Sequence, residues 1–128
     1  MVQEPNNIVH QTEWDLLSVL WQRGHATARE VAEALMERRE WAYSTVKTML
    51  DRMVQKGLVQ SRRVGNVYEY SPALDQASAA RGAWQRFVET AFAGSMAPAL
   101  TFLASDAKLT KQQRQQLLNL LEKDGRDE

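Results

Sequence analysis

Trp41-Ala42-Tyr43-Ser44-Thr45-Val46-Lys47-Thr48-Met49-Leu50-Asp51-Arg52-Met53-Val54-Gln55-Lys56 is the stretch on which the fold turns. Val46, Met49, Leu50 and Met53 recur at three- and four-residue steps, the spacing that gathers side chains on one side of a helix. Ser44, Thr45, Lys47, Thr48 and Arg52 then occupy the other sides, a surface of hydroxyls and cations. Gly57 supplies the left-handed residue that ends such a helix. Beyond it, Leu58 to Val64 and Val67 to Tyr70 are rich in β-branched and aromatic residues around Gly65-Asn66, which reads as a tight hairpin closed by Pro72.

Working outward toward the N-terminus, Thr27-Ala28-Arg29-Glu30 has the form of a capping box, in which threonine oxygen and glutamate carboxylate each satisfy an orphan backbone donor. A helix from there to about Arg38 buries Val31, Ala32 and Leu35. An earlier helix over 13–23 follows a Thr12 cap, carries Trp14, Leu17, Leu20 and Trp21 on one stripe, and stops at Gly24. Glu13, Asp15, Glu30, Glu33, Glu37 and Glu40 read as helix-start and solvent-facing acids, favoured by the helix dipole. The tryptophans 14, 21, 41 and 84, at helical spacing, read as core or interface residues, and His25 as a polar turn residue. Three helices followed by a hairpin are the order of a winged helix-turn-helix, whose third helix enters the DNA groove.

From Asp75 the composition changes. One helical stretch holds Ala83, Trp84, Phe87, Val88, Ala91 and Phe92 and breaks at Gly94-Ser95; a second runs from Met96 to Leu103; a third follows the Thr110-Lys111-Gln112-Gln113 box with Leu117, Leu118, Leu120 and Leu121. Residues 75–125 are too few to bury these faces alone, so a twofold copy is the expected cover. The fold class is therefore mainly α with a small β-hairpin wing, in two domains: 8–73, a winged helix-turn-helix, and 74–124, a three-helix dimerisation domain.

The 128 residues carry 16 basic and 16 acidic side chains and no cysteine. Without cysteine there is no disulfide, thiolate nucleophile or thiolate metal site, and His10 and His25 do not make a metal constellation, so no metal or cofactor is expected. No nucleophile and base pair and no phosphate-cradling glycine loop points to an enzyme. No apolar run approaches membrane length, and Met1 to Pro5 lacks a basic and apolar leader pattern, which places the chain in the cytoplasm without membrane insertion. Overall neutrality conceals a local bias: Lys47, Arg52, Lys56, Arg62 and Arg63 face only Asp51 and Glu69 within 41–72, five against two, net +3. Local positive charge is what phosphate binding needs. The alternative class is a winged-helix module that binds protein through its apolar faces, against which this basic window argues.

The run Trp41 to Met53, with Lys56-Gly57-Leu58-Val59, Gly65 and Tyr70-Ser71-Pro72, resembles the penicillinase-repressor family of BlaI, MecI and CopY. Glu13-Trp14, Leu20-Trp21, Thr27-Ala28-Arg29-Glu30-Val31, Phe92-Ala93-Gly94-Ser95 and Leu109-Thr110 extend the resemblance over nearly the whole chain. It implies a homodimeric transcriptional repressor on a palindromic double-stranded operator. Ser44, Thr45, Lys47, Thr48 and Arg52 would then be recognition-helix contacts, Thr45 and Thr48 to base edges and Lys47 and Arg52 to phosphates, with Arg62 and Arg63 contacting DNA from the wing. Trp84, Phe87, Val88, Phe92, Leu100, Phe102, Leu117 and Leu121 would form the dimer interface.

Two positions depart from the family pattern. Ala42 stands where many relatives have a serine cap, so the recognition helix would start later or be capped by Ser44, and Asn66 stands where an arginine usually follows the wing glycine. In antibiotic-responsive relatives a membrane sensor protease triggers cleavage at an asparagine-phenylalanine bond. The matching pair here is Thr101-Phe102, where Phe102 has the simpler reading of an interface aromatic. Copper-responsive relatives carry C-x-C pairs that this chain lacks.

Overall fold

The computed structural model describes residues 8–106 and 108–126, so the reading of Met1 to Pro5 lies outside the described residues. The elements are α1 (Gln11–Arg23), β1 (Ala26–Thr27), α2 (Ala28–Ala34), α3 (Met36–Arg39), α4 (Tyr43–Lys56), β2 (Val59–Val64), β3 (Val67–Pro72), α5 (Gln76–Ala91), α6 (Met96–Asp106) and α7 (Lys111–Arg126). This is the expected class, mainly helical with a winged hairpin. The chain clusters into two compact units that divide between Arg86 and Phe87, inside α5, whereas the composition changes at Asp75.

In the first unit Leu16, Leu17, Leu20, Val31, Val46, Leu50, Met53, Leu58, Val59 and Tyr70 are fully buried together. They come from α1, α2, α4 and the hairpin, so the core is the seam where α4 meets the rest of the domain. Trp14 and Trp21 pack partly buried against it, and Trp21 Nε1 donates to the Leu74 carbonyl at 2.9 Å. The Thr27 box is present in full: Glu30 N–H donates to Thr27 Oγ1 at 3.1 Å and Thr27 N–H to Glu30 Oε1 at 2.9 Å.

The sheet has the order β1-β3-β2, all antiparallel. β2 and β3 pair from Val59 with Pro72 to Val64 with Val67, leaving Gly65-Asn66 as the two-residue turn. Gly65 is at φ 63° while Asn66 is not left-handed, the pattern of a turn that needs glycine at its first central position. β1, too short to show periodicity, pairs Ala26 with Tyr70 and Thr27 with Glu69, and so ties the helix-turn-helix to the wing.

Four local expectations are corrected. α1 starts at Gln11, capped at His10 rather than Thr12, with His10 N–H donating to Glu13 Oε1 at 2.9 Å. The second helical segment breaks at Leu35 (φ −102°, ψ 5°), and the short α3 that follows carries Arg38 and Arg39 toward Asp15. α4 begins directly at Tyr43, and neither Ala42 nor Ser44 caps it by a side-chain hydrogen bond. A side-chain cap there is worth about 1 kcal/mol, which this helix does without. The fourth correction concerns Glu13 and Asp15, which are not solvent-facing: each is only 8% exposed. Lys56 Nζ donates to both Glu13 carboxylate oxygens at 2.8 and 2.9 Å, and Arg39 Nε donates to Asp15 Oδ2 at 2.6 Å. Acids at a helix start satisfy the dipole wherever they point, so only the tertiary partners reveal their burial.

In the second unit α6 and α7 expose Leu100, Phe102, Leu118, Leu120 and Leu121 by roughly half of their surface. Phe92 lies between Phe87 and Phe102, ring centroids 5.5 and 5.9 Å apart. α7 opens with the expected box, Gln113 N–H donating to Thr110 Oγ1 at 3.1 Å and Thr110 N–H to Gln113 Oε1 at 3.0 Å. Among the described residues no single helix is long and apolar enough to cross a membrane.

Candidate nucleic-acid interface

α4 divides cleanly between its two sides. Val46, Leu50 and Met53 are fully buried and fix the helix roll. At about 100° per residue, Ser44, Thr48, Arg52 and Thr45 then project outward together. All four are exposed, and among the described residues their side chains have no hydrogen-bond or ion-pair partner. Three hydroxyls that can donate or accept, beside an unneutralised guanidinium, can meet base edges and phosphates on one surface.

The other cations are less available than their count suggests. Lys56 is held by the buried Glu13 carboxylate. Arg62 Nη2 lies 3.1 Å from Glu69 Oε1, although its side chain is still 76% exposed, and Arg63 Nε donates to the Gly65 carbonyl at 3.1 Å. His25 Nδ1 approaches the other Glu69 oxygen at 3.4 Å. Lys47 Nζ donates to Asp51 Oδ2 at 2.8 Å and sits 5.8 Å from the ring centroids of both Tyr68 and Tyr70. The net +3 window thus resolves into Arg52, without a hydrogen-bond or ion-pair partner among the described residues, two wing arginines on the surface, and two lysines bound to acids.

Sequence reasoning passed over Asp51 and Tyr70. Tyr70 is buried in β3, and its hydroxyl donates to Asp51 Oδ1 at 2.7 Å, so one carboxylate joins α4, its lysine and the hairpin. Burial alone would raise the Asp51 carboxyl, but the hydrogen bonds from Lys47 and Tyr70 outweigh it and hold it below its ordinary 3.8. The bond to Asp51, then that to Tyr70, pushes Lys47 well above its ordinary 10.5. Both groups therefore stay charged throughout the neutral range. Desolvation first, with the bond to Asp51, raises the Tyr70 hydroxyl, so it remains a donor. The four-residue spacing of Lys47 and Asp51 was the available signal in the sequence. Arg29 was also passed over: it lies over the Tyr43 ring, 5.1 Å from its centroid, beside a cleft of about 280 Å³ lined by Thr27, Lys47, Tyr68 and Tyr70.

The residues read as interface positions are distributed unevenly. Leu100, Phe102 and Leu121 are about half exposed, Trp84 and Phe87 somewhat less, Phe92 and Leu117 are intermediate, and Val88 is buried. Thr101-Phe102 lies within α6, with Thr101 Oγ1 donating to the Ala97 carbonyl at 3.1 Å.

The family model described as the penicillinase repressor matches residues 9–123. The chain belongs to the penicillinase repressor family. It is accordingly a DNA-binding transcriptional repressor and not an enzyme. The penicillinase repressor of Bacillus licheniformis is 25% identical over 115 residues, 89% of each chain, and the methicillin resistance regulatory protein MecI of Mammaliicoccus sciuri is 18% identical over 90% of this chain and 94% of its own. An uncharacterised 16.5 kDa protein of Latilactobacillus sakei is 26% identical over 92% of this chain and 81% of its own. Among solved structures, the monomeric form of Bacillus licheniformis BlaI in complex with the blaP half-operator is 28% identical, covering 54% of this repressor and 84% of that chain, with a TM-score of 0.48.

Proposed function

We propose that this repressor acts in the cytoplasm as a homodimer on a palindromic operator, with residues 8–73 reading DNA and residues 74–124 joining the two copies. The observation that carries the reading is the outward side of α4, where Ser44, Thr45, Thr48 and Arg52 stand exposed with no side-chain hydrogen-bond or ion-pair partner among the described residues. Two such helices enter successive major grooves about 34 Å apart, Thr45 and Thr48 toward base edges, Arg52 toward phosphate, and Arg62 and Arg63 beside the adjacent backbone. Lys47 reaches phosphate only after leaving Asp51. Binding there occludes polymerase. The exposed side chains of Leu100, Phe102 and Leu121 support a twofold interface by their apolar area, to which Trp84, Phe87, Phe92 and Leu117 add, whereas Val88 is already buried within the protomer. Release by a membrane sensor protease cutting Thr101-Phe102 requires that turn of α6 to open first.

The test is retention of duplexes from a random-sequence pool, followed by titration of the selected duplex at several salt concentrations. Arg52→Ala is expected to weaken all duplexes alike and flatten the salt slope by about 0.9, the loss of one phosphate contact. Thr48→Ala is expected to cost about 1 kcal/mol on the selected duplex and to relax preference at one base position. Unchanged affinity in both variants would overturn the reading.

A further inference from the structure

Asp51 is an anion on a surface that must approach a polyanion. On the helical wheel it falls beside Ser44, between Lys47 and Thr48, so its carboxylate faces the same way as the exposed hydroxyls. Half of its side-chain surface is open to solvent. Its orientation is nonetheless fixed from two sides, by Tyr70 Oη on Oδ1 at 2.7 Å and Lys47 Nζ on Oδ2 at 2.8 Å. An acid needed only to neutralise Lys47 would not require a second tether from the hydroxyl of a buried wing tyrosine.

Resting on the DNA-binding reading above, we infer that Asp51 is a specificity-determining residue, which keeps Lys47 from phosphate on arbitrary sequence and itself accepts from the exocyclic amino group of a cytosine in the operator. A carboxylate offers about four acceptor positions, so two remain after Tyr70 and Lys47 are served. In the major groove the cytosine N4 amino group is the donor suited to a carboxylate. Opposite any base that presents only acceptors, the same carboxylate is repelled and nothing compensates. Tyr70 acts as a positioning residue, holding the carboxylate toward the groove from the wing.

The test uses the full-length protein, a random-sequence duplex and the duplex it selects. Asp51→Asn removes the charge while keeping size and an acceptor for Tyr70. With Lys47 released, binding to the random duplex is expected to tighten about fivefold near physiological salt and its salt slope to steepen by about 0.9. The ratio of selected to random affinity is expected to fall roughly tenfold. Repeated selection with this variant should lose preference at a position that carried cytosine. Adding Lys47→Ala to Asp51→Asn should abolish the gain on the random duplex. Tyr70→Phe, which keeps both charges, should lower the ratio without changing the slope. If Asp51→Asn leaves the random-duplex affinity and the ratio unchanged while the wild type binds selectively, the inference fails and the DNA-binding reading stands. If the wild type retains no duplex, both fail.

Discussion

Phe102→Asp combined with Leu121→Asp is expected to leave the repressor monomeric and to weaken its binding to a dyad-symmetric duplex by roughly 10²- to 10⁴-fold, with no DNA-facing residue altered. Both side chains are about half exposed, so the substitutions create no cavity in the protomer's core. The proposed twofold interface repeats each residue, so every new carboxylate would meet apolar surface or another carboxylate and the assembly would lose its cover. In the proposed dimer each winged domain alone gains modest affinity from one half-site, and joining two makes the second docking effectively intramolecular. Sedimentation and a mobility-shift titration on the same samples check this. A monomer that kept wild-type affinity would show that the C-terminal helices serve some other purpose.

The second large effect concerns stability. Lys56→Ala is expected to destabilise the winged domain by about 3 kcal/mol, because it leaves the Glu13 carboxylate unpaired at 8% exposure. Against a total of roughly 5–15 kcal/mol for a domain, that is a large fraction. Glu13 also accepts from His10 N–H, so Glu13→Gln with Lys56→Met, which removes both charges but preserves an acceptor and most of the volume, should recover most of the loss. Urea unfolding of the two variants beside the unsubstituted protein measures it. Equal losses in single and double variants would mean that packing of the side-chain stems, rather than the uncompensated charge, governs the site. The pair also fastens the C-terminal end of α4, the helix proposed to read DNA, to the N-terminal end of α1.

The sequence exposed those parts of the fold whose signals are local. Val46, Leu50 and Met53 disclose the buried side of α4 by spacing alone, Gly57 its end and Gly65 the hairpin turn, and all appear where that reading puts them. Both capping boxes, Thr27 with Glu30 and Thr110 with Gln113, are likewise three-residue patterns. What stayed hidden depends on distance along the chain. Glu13 meets Lys56 across 43 residues and Asp15 meets Arg39 across 24, and nothing near either acid marks it as buried. β1 exists only because Tyr70 and Glu69 offer it an edge. For the interface, counting charges over 41–72 identified a basic window but not which cations remain available. Lys47 and Lys56 are bound to acids, and Asp51, entered only as a subtraction from the net charge, turns out to be held from two elements at once.

The most direct measurement is a titration of isotopically labelled full-length repressor with the duplex it selects, following backbone amide shifts. The largest changes are expected at Ser44, Thr45, Thr48 and Arg52, with smaller ones at Arg62 and Arg63 on the hairpin and little along α7. Changes concentrated on α6 and α7, with α4 unperturbed at saturation, would contradict the assignment of the outward side of α4 to DNA.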